Sequence, residues 1–222
     1  DYNNKYLLTV SGRWDGASQL AEGNKWAFFP SAALGWRLDQ EEFLKDVTWL
    51  NQLKFRLGVG VTGNSAIDPY QTKGAIVSLY YPFGSALAPG YAASEPLIKD
   101  GAVAMANKNL SWEKTTQYNI GLDYSVLNGR ISGVLDFYTS RTTDLLMAMT
   151  IPSLNGYTNT YANVGKTSNI GVDITLNTVN VKTRDFEWST SINAAWQKDK
   201  IDELANGKED DINNNWFIGQ AL

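Results

Sequence analysis

The sequence predicts an all-β chain, an antiparallel up-and-down transmembrane β-barrel segment of about seven or eight long strands. Three observations carry this expectation. Apolar residues alternate with polar or tiny ones over long runs, short turns alternate with long links, and aromatic residues recur near the ends of the apolar stripes. Aromatics reach 12% of the chain, with eight Trp and eleven Tyr; that is enough to furnish a girdle at each edge of a membrane band.

The strands follow in order. In 5–15, Tyr6, Leu8, Val10, Gly12 and Trp14 oppose Leu7, Thr9, Ser11, Arg13 and Asp15. In 26–38, Phe28, Pro30, Ala32, Leu34 and Trp36 oppose Phe29, Ser31, Ala33, Gly35 and Arg37. In 51–62, Leu53, Phe55, Leu57, Val59 and Val61 oppose Lys54, Arg56, Gly58, Gly60 and Thr62. The cleanest stripe lies in 115–127, where Tyr118, Ile120, Leu122, Tyr124 and Val126 oppose Gln117, Asn119, Gly121, Asp123 and Ser125. Segments 130–141, 168–179 and 186–199 repeat the pattern, ending on Trp188, Ile192 and Trp196. A further strand is expected to begin near Trp216. These runs exceed the usual globular strand of about 5–6 residues and suit a tilted crossing of about 9–11.

The connections alternate. Asn128-Gly129 is a type I′ hairpin signal, because both central positions of that turn need positive φ, and 181–185 is another short turn. The link 39–50 is expected to hold a helical turn through Phe43, Leu44, Val47 and Leu50. The links 63–114, 142–161 and 201–215 are long, and the first is read as an extracellular loop. Its stretch 74–94 lacks charge but contains Pro82, Gly84, Pro89 and Gly90, which argues for a loop and against a membrane helix. Short turns at one end and long loops at the other are the barrel asymmetry. Alternation by itself also fits a soluble two-sheet sandwich that binds carbohydrate, with the same stripes facing each other across about 10 Å.

Composition excludes several functions. Hydrophobic residues make up 43% and charged residues 19%, which excludes wholesale disorder. The net charge of -4 gives no basic footprint, so no nucleic-acid partner is expected. With neither Cys nor His, the chain has no disulfide framework, no thiolate zinc site and no Ser-His-Asp triad. The start, Asp1-Tyr2-Asn3-Asn4, has no signal-peptide features and no initiator Met, so the chain is expected to be cut from something larger.

Few motifs suggest chemistry. The run 211–216 places oxygen ligands in the manner of a calcium loop, but Trp216 stands where that loop needs glycine. Glu41, Glu42 and Asp46 are carboxylates in a turn without an identifiable partner, so a carboxylate glycosidase has no locatable site. Arg13, Asp15, Arg37, Lys54, Arg56, Asp123, Asp136 and Asp173 share the polar faces, where they would line a passage or dock an internal plug. Tyr80, Tyr81 and Tyr91, with Phe83, crowd the longest link and are the candidate ligand or partner contacts. No catalytic, cofactor-binding or metal-binding residue is assigned.

Five blocks, taken together, resemble the SusC/RagA family of TonB-linked outer-membrane receptors. They are 25–38 (KWAFFPSAALGWRL), 42–50 (EFLKDVTWL), 57–64 (LGVGVTGN), 109–123 (NLSWEKTTQYNIGLD) and 163–171 (NVGKTSNIG). They occur in the family's order and span most of the chain. The resemblance implies a later portion of a 22-stranded barrel, without the upstream plug domain and TonB box. It also implies import of glycan or peptide fragments across the outer membrane of a Gram-negative bacterium, driven by the TonB complex and capped by a SusD-like surface lipoprotein. The implied partners are that lipoprotein, TonB, the lipid bilayer and the oligosaccharide or peptide; no cofactor and no enzyme activity are implied.

Overall fold

The computed structural model describes residues 1–73, 76–93, 104–152, 154, 157, 159–205, 207, 209–212 and 215–221; at 76–81, 89–93 and 104 it describes the backbone alone. The strands are β1 (Tyr6–Gly16), β2 (Trp26–Arg37), β3 (Leu50–Asn64), β4 (Ile76–Phe83), β5 (Ala86–Ala93), β6 (Ala104–Met105), β7 (Glu113–Val126), β8 (Ile131–Thr143), β9 (Leu146–Thr150), β10 (Asn159–Asn163), β11 (Lys166–Lys182) and β12 (Glu187–Glu203). Seven of them form one antiparallel sheet in the order β1-β2-β3-β7-β8-β11-β12. Each long strand lies beside the next long strand in the chain, which is the up-and-down meander.

The register shows why these residues pair. One cross-strand row runs Leu8, Leu34, Leu57, Ile120, Phe137, Val172 and Trp196, apolar on all seven strands. Its neighbour runs Tyr6, Trp36, Phe55, Leu122, Leu135, Ile174 and Ala194. A slip of one residue on any strand would break both rows, because side chains alternate faces with a period of two. This apolar face is bare. Leu8 is 67% exposed, Phe137 43% and Trp196 58%. Leaving one such side chain in water forgoes about 1.5–3 kcal/mol of burial. A soluble sandwich would cover this face with a second sheet, and among the described residues none does; the sandwich alternative is therefore set aside.

The short turns lie at one end. Asn128 and Gly129 are both left-handed, at φ 57° and 78°, as the type I′ signal demands. Leu127 is left-handed too, and the loop occupies the four residues between Val126 and Ile131, not the two expected of a type I′ hairpin. The β2–β3 link holds two 3₁₀ turns, Leu38–Gln40 and Glu42–Leu44, in place of one amphipathic helical turn. They bury nothing, and Phe43 is exposed. Asp39 fixes this link: its carboxylate accepts hydrogen bonds from Arg37 Nη2 and Gln40 Nε2 at 2.8 Å and from Leu53 N at 3.2 Å. Burial pushes the Asp39 carboxyl up, but these bonds outweigh it and hold it below the usual carboxylate range.

The opposite end carries the long links and the buried apolar residues. The link 63–114 is more than a loop: β4 and β5 form a hairpin within it, pairing Ile76 with Ala93 through Phe83 with Ala86. Its prolines and glycines masked the alternation. Likewise β9 and β10 form a hairpin in the link between β8 and β11, with β6 completing a three-stranded sheet.

Ala17, Leu20, Phe29 and Trp112 pack as a small core at this end. The Phe29 and Trp112 rings meet edge to face at 5.3 Å. Hydrogen bonds from Ala21 N to Leu110 O and from Trp112 Nε1 to Lys25 O, each 3.1 Å, tie the first link to the third. The core fills a seam. Pairing between β2 and β3 stops at Ser31 and Gly60, and the next residue of β2, Pro30, has no N–H to continue a ladder. Above that point the strands part and the Phe29 ring closes the gap, so close to Gly63 that a Cβ there would come within 2.1 Å.

Candidate functional site

The polar face of the sheet is a wall whose charges are organised by register. One row runs Leu7, Gly35, Arg56, Gly121, Asp136, Asp173 and Ala195. Arg56 on β3 reaches across β7 to Asp136 on β8, with Nη2 at 3.0 Å from Oδ1 and 3.1 Å from Oδ2. Its Nε also donates to Asp123 Oδ1 at 2.9 Å. The arm lies over Gly121: a Cβ at 121 would sit 2.6 Å from Arg56 Cζ and from Asp136 Oδ1. Asp136 also stands directly opposite Asp173, a like-charge pairing that costs stability; Arg56 offsets it.

The adjacent row repeats the device. Tyr138 on β8 lies over Gly171 on β11 and donates through its hydroxyl to Gln197 Oε1 on β12 at 3.4 Å. Nearby, Ala33, Gly58 and Gly60 leave the wall without protruding side chains. Long polar side chains thus lie flat along the sheet across glycine seats. Of the eight charged residues expected on this face, the structure joins Arg56 with Asp123 and Asp136, and Arg13 with Asp15 at 2.7 Å. Arg37 instead turns to Asp39, at the link. Lys54 stands opposite Arg37 and leans over Gly35.

At the short-turn end, Glu41 accepts hydrogen bonds from Trp36 Nε1 at 3.0 Å, Tyr6 Oη at 2.8 Å and Lys5 Nζ at 3.2 Å. These partners, Trp36 foremost, then Tyr6 and Lys5, hold its carboxyl below the usual carboxylate range. Tyr2, Tyr6 and Trp36 stack successively at 6.5 and 6.4 Å. Glu41 is therefore an anchor of an aromatic cluster and not half of a paired-carboxylate site. Glu42 pairs with Lys45. At the long-link end, Trp14 and Phe28 meet at 5.9 Å on the apolar face, which gives that face aromatics toward both ends.

Tyr80, Tyr81 and Tyr91 have their backbone in the β4–β5 hairpin, opposite Pro89, Ala88 and Ser78; their side chains lie outside what is described. The long-link end instead presents a cavity of about 430 Å³ that sequence reasoning did not anticipate. One wall is the edge strand β9, through Met147, Ala148, Met149 and Thr150. The other comprises Leu204, Ala205, Asp210, Asp211, Ile212 and Trp216. Asp211 and Trp216 form an isolated antiparallel bridge: Asp211 N donates to Trp216 O at 2.8 Å, and Trp216 N donates to Asp211 O at 2.9 Å. Asp210 is pinned by Ile218 N, which donates to its Oδ1 at 2.7 Å. Among the described residues no group of carboxylates forms a metal site; 213, a ligand position of the calcium-loop analogy, lies outside those residues. Further on, Ile201 N donates to Gln220 O and Gly219 N donates to Ile201 O, each at 2.8 Å, which ties a turn to the end of β12; the strand expected to begin near Trp216 does not form among the described residues. The available signal for this cavity was a lone Trp in an otherwise polar run.

Comparisons with known proteins agree with this architecture. Residues 1–219 match the family described as TonB dependent receptor-like, beta-barrel. TonB-dependent receptor SusC of Bacteroides thetaiotaomicron is 40% identical over 218 residues, covering 94% of this chain and 20% of that receptor. TonB-dependent receptor P26 of Formosa agariphila is 37% identical over 203 residues, covering 91% and 20%. Among solved structures, the RagAB peptide importer in its open-open state aligns with a TM-score of 0.85 at 27% identity, covering 99% of this chain and 23% of that one. The RagAB peptide transporter aligns with a TM-score of 0.79 at 29% identity, covering 92% and 21%. The chain thus spans about a fifth of the length of the curated relatives it matches. A meander with one bare apolar face, one flat polar face and long links at a single end is the wall of a membrane barrel, and this chain belongs to the TonB-dependent receptor β-barrel family, on its SusC/RagA branch.

Proposed function

We propose that this chain forms part of the wall and the extracellular loops of a nutrient importer in the outer membrane of a Gram-negative bacterium. The observation that carries the reading is the row from Leu8 to Trp196, apolar on seven strands and uncovered. Such a face is stable against lipid tails and costly in water. The flat polar face then lines the passage, and the long links face the outside, where a SusD-like lipoprotein caps the entrance. Energy comes through TonB acting on parts outside this chain, and the cargo is an oligosaccharide or peptide fragment. The RagAB neighbours, a peptide transporter and a peptide importer, support the peptide part of that range.

The test is uptake and placement in the full-length receptor. Cells lacking it should lose TonB-dependent uptake of one oligosaccharide or peptide nutrient, and brominated lipids should quench the fluorescence of Trp36, Trp188 and Trp196. Uptake that persists without TonB, or a receptor soluble without detergent and unquenched, would overturn the reading.

A further inference from the structure

We propose that the outer rim of β7, β8, β11 and β12 is a docking site for a phosphorylated lipid headgroup of the outer leaflet. The proposal rests on the membrane-wall reading, which sets the bare face against lipid and the long links outside. Along that face the chemistry changes. The row from Leu8 to Trp196 is apolar throughout. One step toward the long links, β12 contributes Lys198, level with Ile170 and Thr139. The next step aligns Arg141, Ser168 and Lys200. The step beyond aligns Lys114, Thr143 and Lys166. Side chains alternate with a period of two, so all five cations share the face of Phe137 and Trp196.

The cations are confined to one sector. At the same levels β1 and β2 pair Val10 with Ala32, Gly12 with Pro30 and Trp14 with Phe28, without a charge. Contact with water at the rim would not by itself concentrate cations on one side. Nearby acids do not cancel the patch. Glu203 pairs with Lys166 at 2.6 Å, and Asp202 pairs with Lys200 at 3.1 Å and lies beside Arg141 and Ser168. Asp144 accepts a hydrogen bond from the Thr143 hydroxyl. The patch stays net positive on a chain whose net charge is -4. Lys114, Arg141 and Lys198 are exposed and form no salt bridge among the described residues.

The spacing suits a phosphate. Neighbouring strands lie about 4.8 Å apart and successive same-face residues about 6.7 Å apart, which puts Arg141 roughly 10 Å from Lys200 and roughly 8 Å from Lys114 at the backbone. Long cationic side chains can converge on a phosphate between them through charge-assisted hydrogen bonds, their stems lying on apolar surface. The acyl chains of the same molecule then continue down the wall over Ile170, Phe137 and Trp196. A soluble anion would gain nothing from that apolar continuation, so the occupant is a lipid. A zwitterionic headgroup carries its own cation and gains less from the patch.

The experiment is native mass spectrometry of the detergent-purified full-length receptor, counting retained lipid. The probes are diphosphorylated lipid A, the same glycolipid without phosphates, phosphatidylcholine and inorganic phosphate. The wild type should hold diphosphorylated lipid A at least tenfold more tightly than either other lipid. Arg141→Gln, Lys198→Gln and Lys200→Gln combined should weaken it tenfold or more. Lys45→Gln, Arg130→Gln and Lys182→Gln combined remove as much charge at the short-turn end and should leave it unchanged. Lys198→Gln alone should weaken it twofold or more, which keeps the test if the rim triple misfolds; heat-modifiable gel mobility checks each barrel. The proposal is overturned if the phosphate-free glycolipid binds equally, if both triples lose binding alike, or if Lys198→Gln and the rim triple both bind as the wild type. Displacement of the lipid by inorganic phosphate at equal concentration would make the ligand a soluble anion and also overturns it. A receptor that needs detergent and imports by TonB, yet holds no phosphorylated lipid, refutes the docking site and leaves the import reading standing; solubility without detergent refutes both.

Discussion

Placing a methyl group at Gly121 isolates the glycine seat beneath Arg56. A Cβ there would stand 2.6 Å from Arg56 Cζ, Arg56 Nη2 and Asp136 Oδ1. All three are ends of flexible side chains, so the backbone is spared and the guanidinium must lift off the wall. Two ion pairs are then lost. The Arg56 side chain is 30% exposed and those of Asp123 and Asp136 23% and 22%, which places the pairs between surface and interior. Surface pairs contribute about 0.2–1 kcal/mol each and breaking a buried pair costs about 3–5. A total near 2 kcal/mol is expected for this site. Alanine regains about 0.5–1 kcal/mol, because glycine inside a strand carries that entropic penalty. Gly121→Ala should therefore destabilise by about 1–1.5 kcal/mol net in urea titrations of the full-length receptor folded into lipid vesicles. In an Arg56→Met background the arm and its pairs are gone, and the same change should be neutral or stabilising by about 0.5 kcal/mol. Equal destabilisation in both backgrounds would refute the seat.

Other outcomes follow from the same geometry. Ile120→Arg, on the apolar row, should cost about 2–4 kcal/mol in vesicle folding, whereas Asn119→Arg, one residue away on the polar face, should cost far less; similar costs would reverse the assignment of faces. Phe29→Ala should cost about 3 kcal/mol and accelerate amide exchange at Val61 to Asn64 before the lower strands, read by mass spectrometry. Asp39 has a folded pKa below its ordinary value, so its contribution is fully present above the ordinary carboxylate range and is lost as pH falls through that range toward the folded value. Asp39→Asn should lose about 1–3 kcal/mol at neutral pH and flatten the acid limb of the melting curve; an unchanged limb would assign the acid sensitivity elsewhere.

The strands and their faces were legible because period-two alternation is local and each stripe needs only its own residues. Ile120 and Asn119 could be assigned to opposite faces from sequence alone. Register was legible only indirectly, through the requirement that stripes align. The glycine seats were hidden for that reason: Gly121 reads as a small residue on a polar face until Arg56 and Asp136 are known to flank it. The rim core was hidden for a different reason. Leu20, Leu110 and Trp112 lie in links, where no periodicity predicts burial. The β4–β5 hairpin was obscured by Pro82, Gly84, Pro89 and Gly90, residues that normally mark irregular chain. Trp216 was visible only as an oddity in a polar run, because Met147 and Met149, which line the same cavity, come from a hairpin far earlier in the sequence.

The seam above Ser31 and Gly60 gives the wall an unusual thermal character. Elsewhere neighbouring strands are joined by backbone hydrogen bonds; here Phe29 and Trp112 join them by apolar packing. Hydrophobic attraction weakens on cooling. The rim between β2 and β3 is accordingly the stretch of wall that loosens first in the cold, while the strands below it stay laced.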